Sequence, residues 1–122
     1  MYFYDNLKLG ELVDYYNCLD AYILPTYTTS NIKEQYGRVL VEAMACRIPV
    51  IGSTCGAIPD VLKGYPSHLI FNEYSLPDLV DKINKIENMP VPKNFDINIF
   101  LHKFSVENFV TENIKFYQEI LK

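Results

Sequence analysis

Four short apolar runs, residues 1–4 (MYFY), 21–24 (AYIL), 49–52 (PVIG) and 68–71 (HLIF), alternate with stretches whose apolar residues recur every three or four positions. Runs of that length read as strands and the spacers between them as helices. Strands separated by helices at this pitch pair in parallel through crossovers, because a short loop cannot return the chain to the same end of a sheet. The pattern predicts an α/β fold: a parallel sheet of about four strands with flanking helices.

Two of the predicted helices carry one apolar stripe each, Leu9, Leu12, Val13 and Tyr16 on one and Leu76, Leu79, Val80, Ile83 and Ile86 on the other, so each should cover the sheet with one face. Residues 38–46 (RVLVEAMAC) are apolar nearly all round and predict a central helix covered on more than one side. Pro90 and Pro92 interrupt the pattern between 88 and 94, dividing a body over 1–88 from a helical tail over 95–122. In that tail residues 97–104 predict a short helix, and Ser105 stands as an N-cap with Glu107 in the first turn of the next. Val106, Phe109, Val110, Ile114, Tyr117, Ile120 and Leu121 then follow helical spacing. With a polar face of mixed charge, that helix is expected to pack on its own domain rather than on a membrane.

The chain of 122 residues is ordinary in its 49% hydrophobic and 21% charged content, the size of about one domain. Its formal charge of −4 disfavours a nucleic-acid partner, which needs a concentrated basic face. Cys18, Cys46 and Cys55 are odd in number and lack metal-ligand spacing, so each reads as a small reduced core residue. No run of 18 apolar residues occurs and no signal-peptide blocks open the chain. A soluble, cytoplasmic chain without a transmembrane segment is the expectation.

The chemistry concentrates between Asp20 and Asp60. A strand ends at Leu24-Pro25, a polar loop follows, and a helix opens near Tyr36-Gly37; loops at the carboxyl ends of parallel strands are where such sheets bind ligands. The helix start offers unpaired N–H groups and a positive dipole end, Gly37 admits close approach to the backbone, and Arg38 could add a charge-assisted contact, together a seat for a phosphate or diphosphate. Gly37 serving only the turn, with Arg38 solvated, is the plainer alternative, and both stay open. Glu42 interrupts an apolar helix and must find hydrogen-bond partners, either ribose hydroxyls or groups of the fold itself. Glu34 sits where a carboxylate also complements the helix dipole. The loop hydroxyls of Thr26, Tyr27, Thr28, Thr29 and Ser30 could reach a sugar, although polar residues are expected in a turn anyway. His68 and His102 stand alone and read as structural.

Six pieces in order over about forty residues carry a resemblance: Ile23-Leu24-Pro25-Thr26, Glu34-x7-Glu42, Gln35-Tyr36-Gly37, Glu42-Ala43-Met44-Ala45, Pro49-Val50-Ile51 and Gly56-Ala57-Ile58-Pro59-Asp60. The stretch resembles the donor site of retaining nucleotide-sugar glycosyltransferases of the GT-B fold, which have two Rossmann-like domains, and most of all their family four. The resemblance implies a Rossmann-like sheet and a single, partial C-terminal nucleotide-sugar-binding domain over 1–122. It implies transfer of a hexosyl group, with retention, from a nucleotide diphosphate sugar, UDP- or GDP-linked, and no metal or other cofactor. Glu34 would act in catalysis by bonding donor-sugar hydroxyls, the backbone of Tyr36, Gly37, Arg38 and Val39 would hold the diphosphate, and Glu42 the ribose. The Gly56 to Asp60 turn is taken as structural.

Arg47 departs from the family pattern, which has glycine there, and would strain a left-handed helix cap unless the turn adapts. The resemblance also covers only the last third of the family's architecture. The resemblance implies an acceptor domain outside these 122 residues, which would hold the acceptor sugar or glycolipid and any peripheral contact with the inner membrane. By the same resemblance the first donor-domain strands would also lie outside these residues, so the expectation is an open sheet edge available for self-association and a chain inactive alone. A non-catalytic nucleotide-sugar-binding module completed by a partner chain would keep the same residues. A sugar-nucleotide epimerase would need further acidic or histidine bases, and a glycoside hydrolase a second carboxylate loop.

Overall fold

The structure, a computed structural model, describes residues 7–121. Its elements alternate as α1 (Leu9–Asn17), β1 (Tyr22–Leu24), α2 (Arg38–Ala45), β2 (Val50–Ser53), α3 (Ile58–Leu62), β3 (His68–Phe71) and α4 (Leu76–Ile86), followed by α5 (Ile97–His102) and α6 (Val106–Ile120). The three strands pair in parallel in the order β1-β2-β3, with Tyr22 opposite Val50 and Val50 opposite His68. Among the described residues β1 and β3 are the edges of the sheet. The strand expected over residues 1–4 lies outside the described residues.

Strand alternation sends successive side chains to opposite faces. On one face Val50 joins Leu40, Ala43 and Met44 of α2, Ile58 and Leu62 of α3, Tyr16 of α1 and Phe100 of α5 in the main core. On the other, Ile51 and Phe71 meet Ile86 of α4 in a smaller cluster. Helix α2 packs against β1, β2, α3 and α5, as the all-round apolar pattern predicts.

Local chemistry sets the helix ends. Ser75 accepts the Asp78 N–H at 3.2 Å and Ser105 the Asn108 N–H at 3.1 Å, while Asp96 accepts from Asn98 and Ile99. Helix α2 ends in a Schellman turn, with Ile48 N–H on the Ala43 carbonyl and Arg47 N–H on that of Met44. The left-handed position, φ 60°, falls on Arg47. The turn keeps its shape, and the side chain offsets the strain by donating to the carbonyls of Pro92, at 2.8 Å, and Phe95, at 3.2 Å. Arg47 thereby straps the proline segment to the end of the central helix.

Several expectations are corrected. Helix α6 buries none of its residues, and Phe109, Ile114, Tyr117 and Ile120 stand exposed rather than packed on the domain. The spacing marks an amphipathic helix correctly, but it is α5 that joins the core, with Phe100 flanked by Phe104 and Phe95, and the apolar stripe of α6 stays outside it. On α4 only Leu79 and Ile86 pack, while Leu76, Val80 and Ile83 face solvent, and on α1 Val13 does the same. Cys18 is exposed rather than a core residue. Among the described residues no helix is long and apolar enough to cross a membrane.

Gly52, buried in the middle of the sheet, fixes how closely α3 sits, because a Cβ there would run into Ile58 and Leu62. Gly52→Ala is expected to lower stability by roughly 1–3 kcal/mol through overpacking, read from urea unfolding midpoints; an unchanged midpoint would mean that α3 does not rest on the sheet in this way.

Candidate functional site

Beyond the carboxyl ends of β1 and β2 lies an open cleft of about 730 Å³, walled by the loop after β1 and by the turn after β2, with Thr28, Lys33, Glu34, Gly56 and Asp60 among its lining residues. The loop, residues 25–36, has no regular structure and is pinned at several points. Near its start the Ser53 hydroxyl donates to the Thr26 carbonyl. In its middle the Thr28 N–H donates to the Glu73 carboxylate, and the Thr28 hydroxyl to Cys55 Sγ at 3.4 Å. Thr29 closes a small turn of its own, accepting from the N–H groups of Asn31 and Ile32.

At its far end the loop delivers Glu34 onto the turn after β2. The Glu34 N–H points at Cys55 Sγ, 3.4 Å away, and its carbonyl accepts from the Ala57 N–H at 3.0 Å. Gly56 lies between them with φ 57°, and a Cβ there would collide with the Glu34 carbonyl. The turn taken from sequence as purely structural is thus the seat of a candidate site residue. Cys55, fully buried, is more than filler: its sulfur serves both Thr28 and Glu34.

The Glu34 side chain folds back on the start of α2. Its Oε1 accepts the N–H groups of Tyr36, at 3.3 Å, and Gly37, at 2.9 Å. Two of the four N–H groups assigned from sequence to a diphosphate are therefore already taken. Those of Arg38 and Val39 have no acceptor among the described residues and remain the open, positive end of the helix. Gly37 is the buried N-cap, in the left-handed region with φ 64°. The exposed Tyr36 ring points away from the cleft, edge-on to Phe104.

Glu42 is not in the cleft. It faces α1, where the buried Tyr16 hydroxyl donates to its Oε2 at 3.1 Å, and Arg38, itself largely exposed, comes within 3.7 Å of Oε1. The carboxylate is about one-third exposed, so the helix is less enclosed at this point than its composition predicts. Burial pushes the Tyr16 phenol well above its ordinary pKa, and the adjoining Glu42 carboxylate adds to the shift, so Tyr16 stays a protonated donor through the neutral range. Cys46 is raised by the same two causes. Glu34, the helix start and Glu42 therefore form a track from the cleft across α2 to α1 rather than a single pocket.

His68 sits at the amino end of β3, bonded to the Tyr65 carbonyl, and His102 closes α5; neither lines the cleft. No group of three or more His, Cys, Asp or Glu among the described residues could hold a metal ion.

Comparison with known proteins gives this geometry a context. The family model for Glycosyl transferases group 1 matches residues 1–100. A D-inositol 3-phosphate glycosyltransferase of Corynebacterium jeikeium is 32% identical over 76 residues, covering 62% of this chain and 17% of the relative. The phosphatidylinositol N-acetylglucosaminyltransferase GPI3 subunit of Saccharomyces cerevisiae is 31% identical over 74 residues, 61% of this chain and 16% of the relative. An N-acetyl-alpha-D-glucosaminyl L-malate synthase of Bacillus anthracis is 55% identical over 31 residues, 25% of this chain and 8% of the relative. The chain spans less than a fifth of the length of these relatives.

Gly56→Ala is expected to lower stability by about 2 kcal/mol or more, since the new methyl meets both a left-handed backbone and the Glu34 carbonyl; a wild-type unfolding midpoint would show that Glu34 is not seated on this turn.

Proposed function

The chain belongs to the group 1 glycosyl transferases, and from that premise we propose that the track from Glu34 to Glu42 is the donor site of a retaining hexosyltransferase. Its donor is a nucleotide diphosphate sugar, UDP- or GDP-linked, and its acceptor, a sugar or glycolipid, is held by a domain outside this chain. The observation that carries the proposal is the open start of α2, where the N–H groups of Arg38 and Val39 have no acceptor among the described residues, flanked by one carboxylate in the cleft and another beside α1.

An extended donor laid along this track meets a different chemistry at each point. Glu34 keeps Oε1 on the Tyr36 and Gly37 N–H groups, which fixes the carboxylate and leaves Oε2 to accept from sugar hydroxyls in the cleft. The diphosphate takes the N–H groups of Arg38 and Val39, and the flexible Arg38 side chain swings from its weak pairing with Glu42 to the phosphate oxygens. Glu42, steadied by Tyr16, accepts from the vicinal ribose hydroxyls.

As the bond between the anomeric carbon and the leaving oxygen breaks, negative charge grows on the departing diphosphate. The helix start is preorganised toward that charge and stabilises it without reorganising. The acceptor oxygen bonds to the anomeric carbon on the face from which the diphosphate leaves and gives its proton to the departing diphosphate oxygen, which retains the anomeric configuration.

Titration calorimetry of the intact protein with UDP, GDP, UDP-glucose, UDP-N-acetylglucosamine and GDP-mannose tests the assignment. Glu42→Ala should weaken a nucleoside diphosphate and its sugar conjugate alike, by roughly tenfold or more for a lost charge-assisted contact. Glu34→Ala should weaken the conjugate and spare the bare diphosphate, since it removes a sugar contact and frees the Tyr36 and Gly37 N–H groups. Equal losses for both ligands on Glu34→Ala, or no loss on Glu42→Ala, would overturn these roles.

A further inference from the structure

The loop that walls the cleft owes part of its position to a clasp from the turn after β3. Every polar group of Thr28 is engaged from outside its own loop. Its N–H donates to the Glu73 carboxylate, its carbonyl accepts from the Tyr74 hydroxyl at 3.0 Å, and its hydroxyl donates to Cys55 Sγ. The turn that supplies Glu73 and Tyr74 is itself stiff. The Glu73 N–H donates to the Thr54 hydroxyl at 3.1 Å, the Tyr74 N–H to the Asn72 side chain at 3.0 Å, and the Asn72 N–H to Asp78 in the first turn of α4 at 2.7 Å. The rigid start of α4 is thus connected by hydrogen bonds to the middle of a loop with no secondary structure.

We propose that Glu73 and Tyr74 are positioning residues of the donor site, holding Thr28 so that the loop presents the cleft wall and Glu34 in one arrangement. The inference rests on the reading of the cleft as the donor seat. Neither residue lines the cleft, so their effect passes through Thr28. Tyr74 is 71% exposed, so burial does not account for its placement, whereas its hydroxyl contact does. The Thr28 N–H, helped by the Thr28 and Thr54 hydroxyls and by Lys33, keeps the Glu73 carboxyl below the usual carboxylate range. It therefore acts as an ionised acceptor. Freezing a loop before the ligand arrives removes an ordering cost from binding, and releasing it restores that cost.

Glu73→Ala, Glu73→Gln and Tyr74→Phe in the intact protein, each followed by amide hydrogen exchange and by calorimetry with UDP-N-acetylglucosamine and GDP-mannose, test the clasp. Glu73→Ala should raise exchange over residues 26–35 at least tenfold while β2 stays protected, and weaken donor binding by roughly tenfold well below the melting temperature. Glutamine keeps a carbonyl acceptor for the Thr28 N–H and should restore most of both, a rescue that a merely structural loss would not show. Tyr74→Phe alters an exposed side chain, leaves the fold intact, and should loosen the loop severalfold. Unchanged loop exchange in Glu73→Ala and Tyr74→Phe overturns the clasp, and a loosened loop with wild-type donor affinity overturns its role in binding. If the wild type binds no nucleotide sugar, the donor reading fails, and the exchange data still decide whether the clasp exists.

Discussion

Residue 56 carries no side chain, and the carbonyl of Glu34 occupies the space where one would be. That close approach lets the loop after β1 come down on the turn after β2, where Ala57 and Cys55 engage the Glu34 backbone. The rest of the site follows from it. With its backbone fixed, Glu34 lines the cleft and reaches with one oxygen the N–H groups of Tyr36 and Gly37, just ahead of α2. The direction of α2, and so of Arg38, Val39 and Glu42, is in turn set by the core that Leu40, Ala43 and Met44 build against the sheet. A left-handed glycine in a turn thus seats the far end of the polar loop on the buried body.

The carboxylates of the site are handled differently from one another. Glu42 lies on a helix whose neighbours are buried, and the fold meets its hydrogen-bonding need with one neutral donor, Tyr16, rather than a fixed cation. A neutral donor contributes on the order of 1 kcal/mol and leaves the carboxylate its charge and spare lone pairs, whereas a buried ion pair would have occupied them. Arg38 does not change this, since an exposed pair at 3.7 Å is screened and costs little to separate. Glu73 is the opposite case, a carboxylate used up in holding backbone and hydroxyl groups. The charge near the cleft divides accordingly into groups committed to the protein and groups left open to a ligand.

Much of the body was legible in the sequence because β2 and β3 alternate with helices of clear period. Runs of 21–24, 49–52 and 68–71 became Tyr22–Leu24, Val50–Ser53 and His68–Phe71, and Ser105 capped α6 as its position suggested. Arg47 shows a local rule surviving an unfavourable residue, because two distant carbonyls offset the strain. What escaped was whatever depends on contacts between distant segments. Periodicity gives α6 an apolar stripe but not a surface to put it on. Cys55 reads as a small apolar residue, and only the fold brings Thr28 and Glu34 to its sulfur. Tyr16 and Glu73 lie 26 and 45 residues from the groups they serve, with no spacing to betray them. Nor does spacing reveal that the Glu34 carboxylate bends back onto the N–H groups of Tyr36 and Gly37.

In the proposed donor site the free end of α2 receives the diphosphate of a nucleotide sugar. Amide NMR of the isotopically labelled protein, titrated with UDP and with GDP, tests it residue by residue. The largest shifts are expected at the Arg38 and Val39 amides, smaller ones at Glu42, and little change along α4. Saturable shifts that spare Arg38 and Val39 and fall elsewhere, or none with either nucleotide, would contradict it.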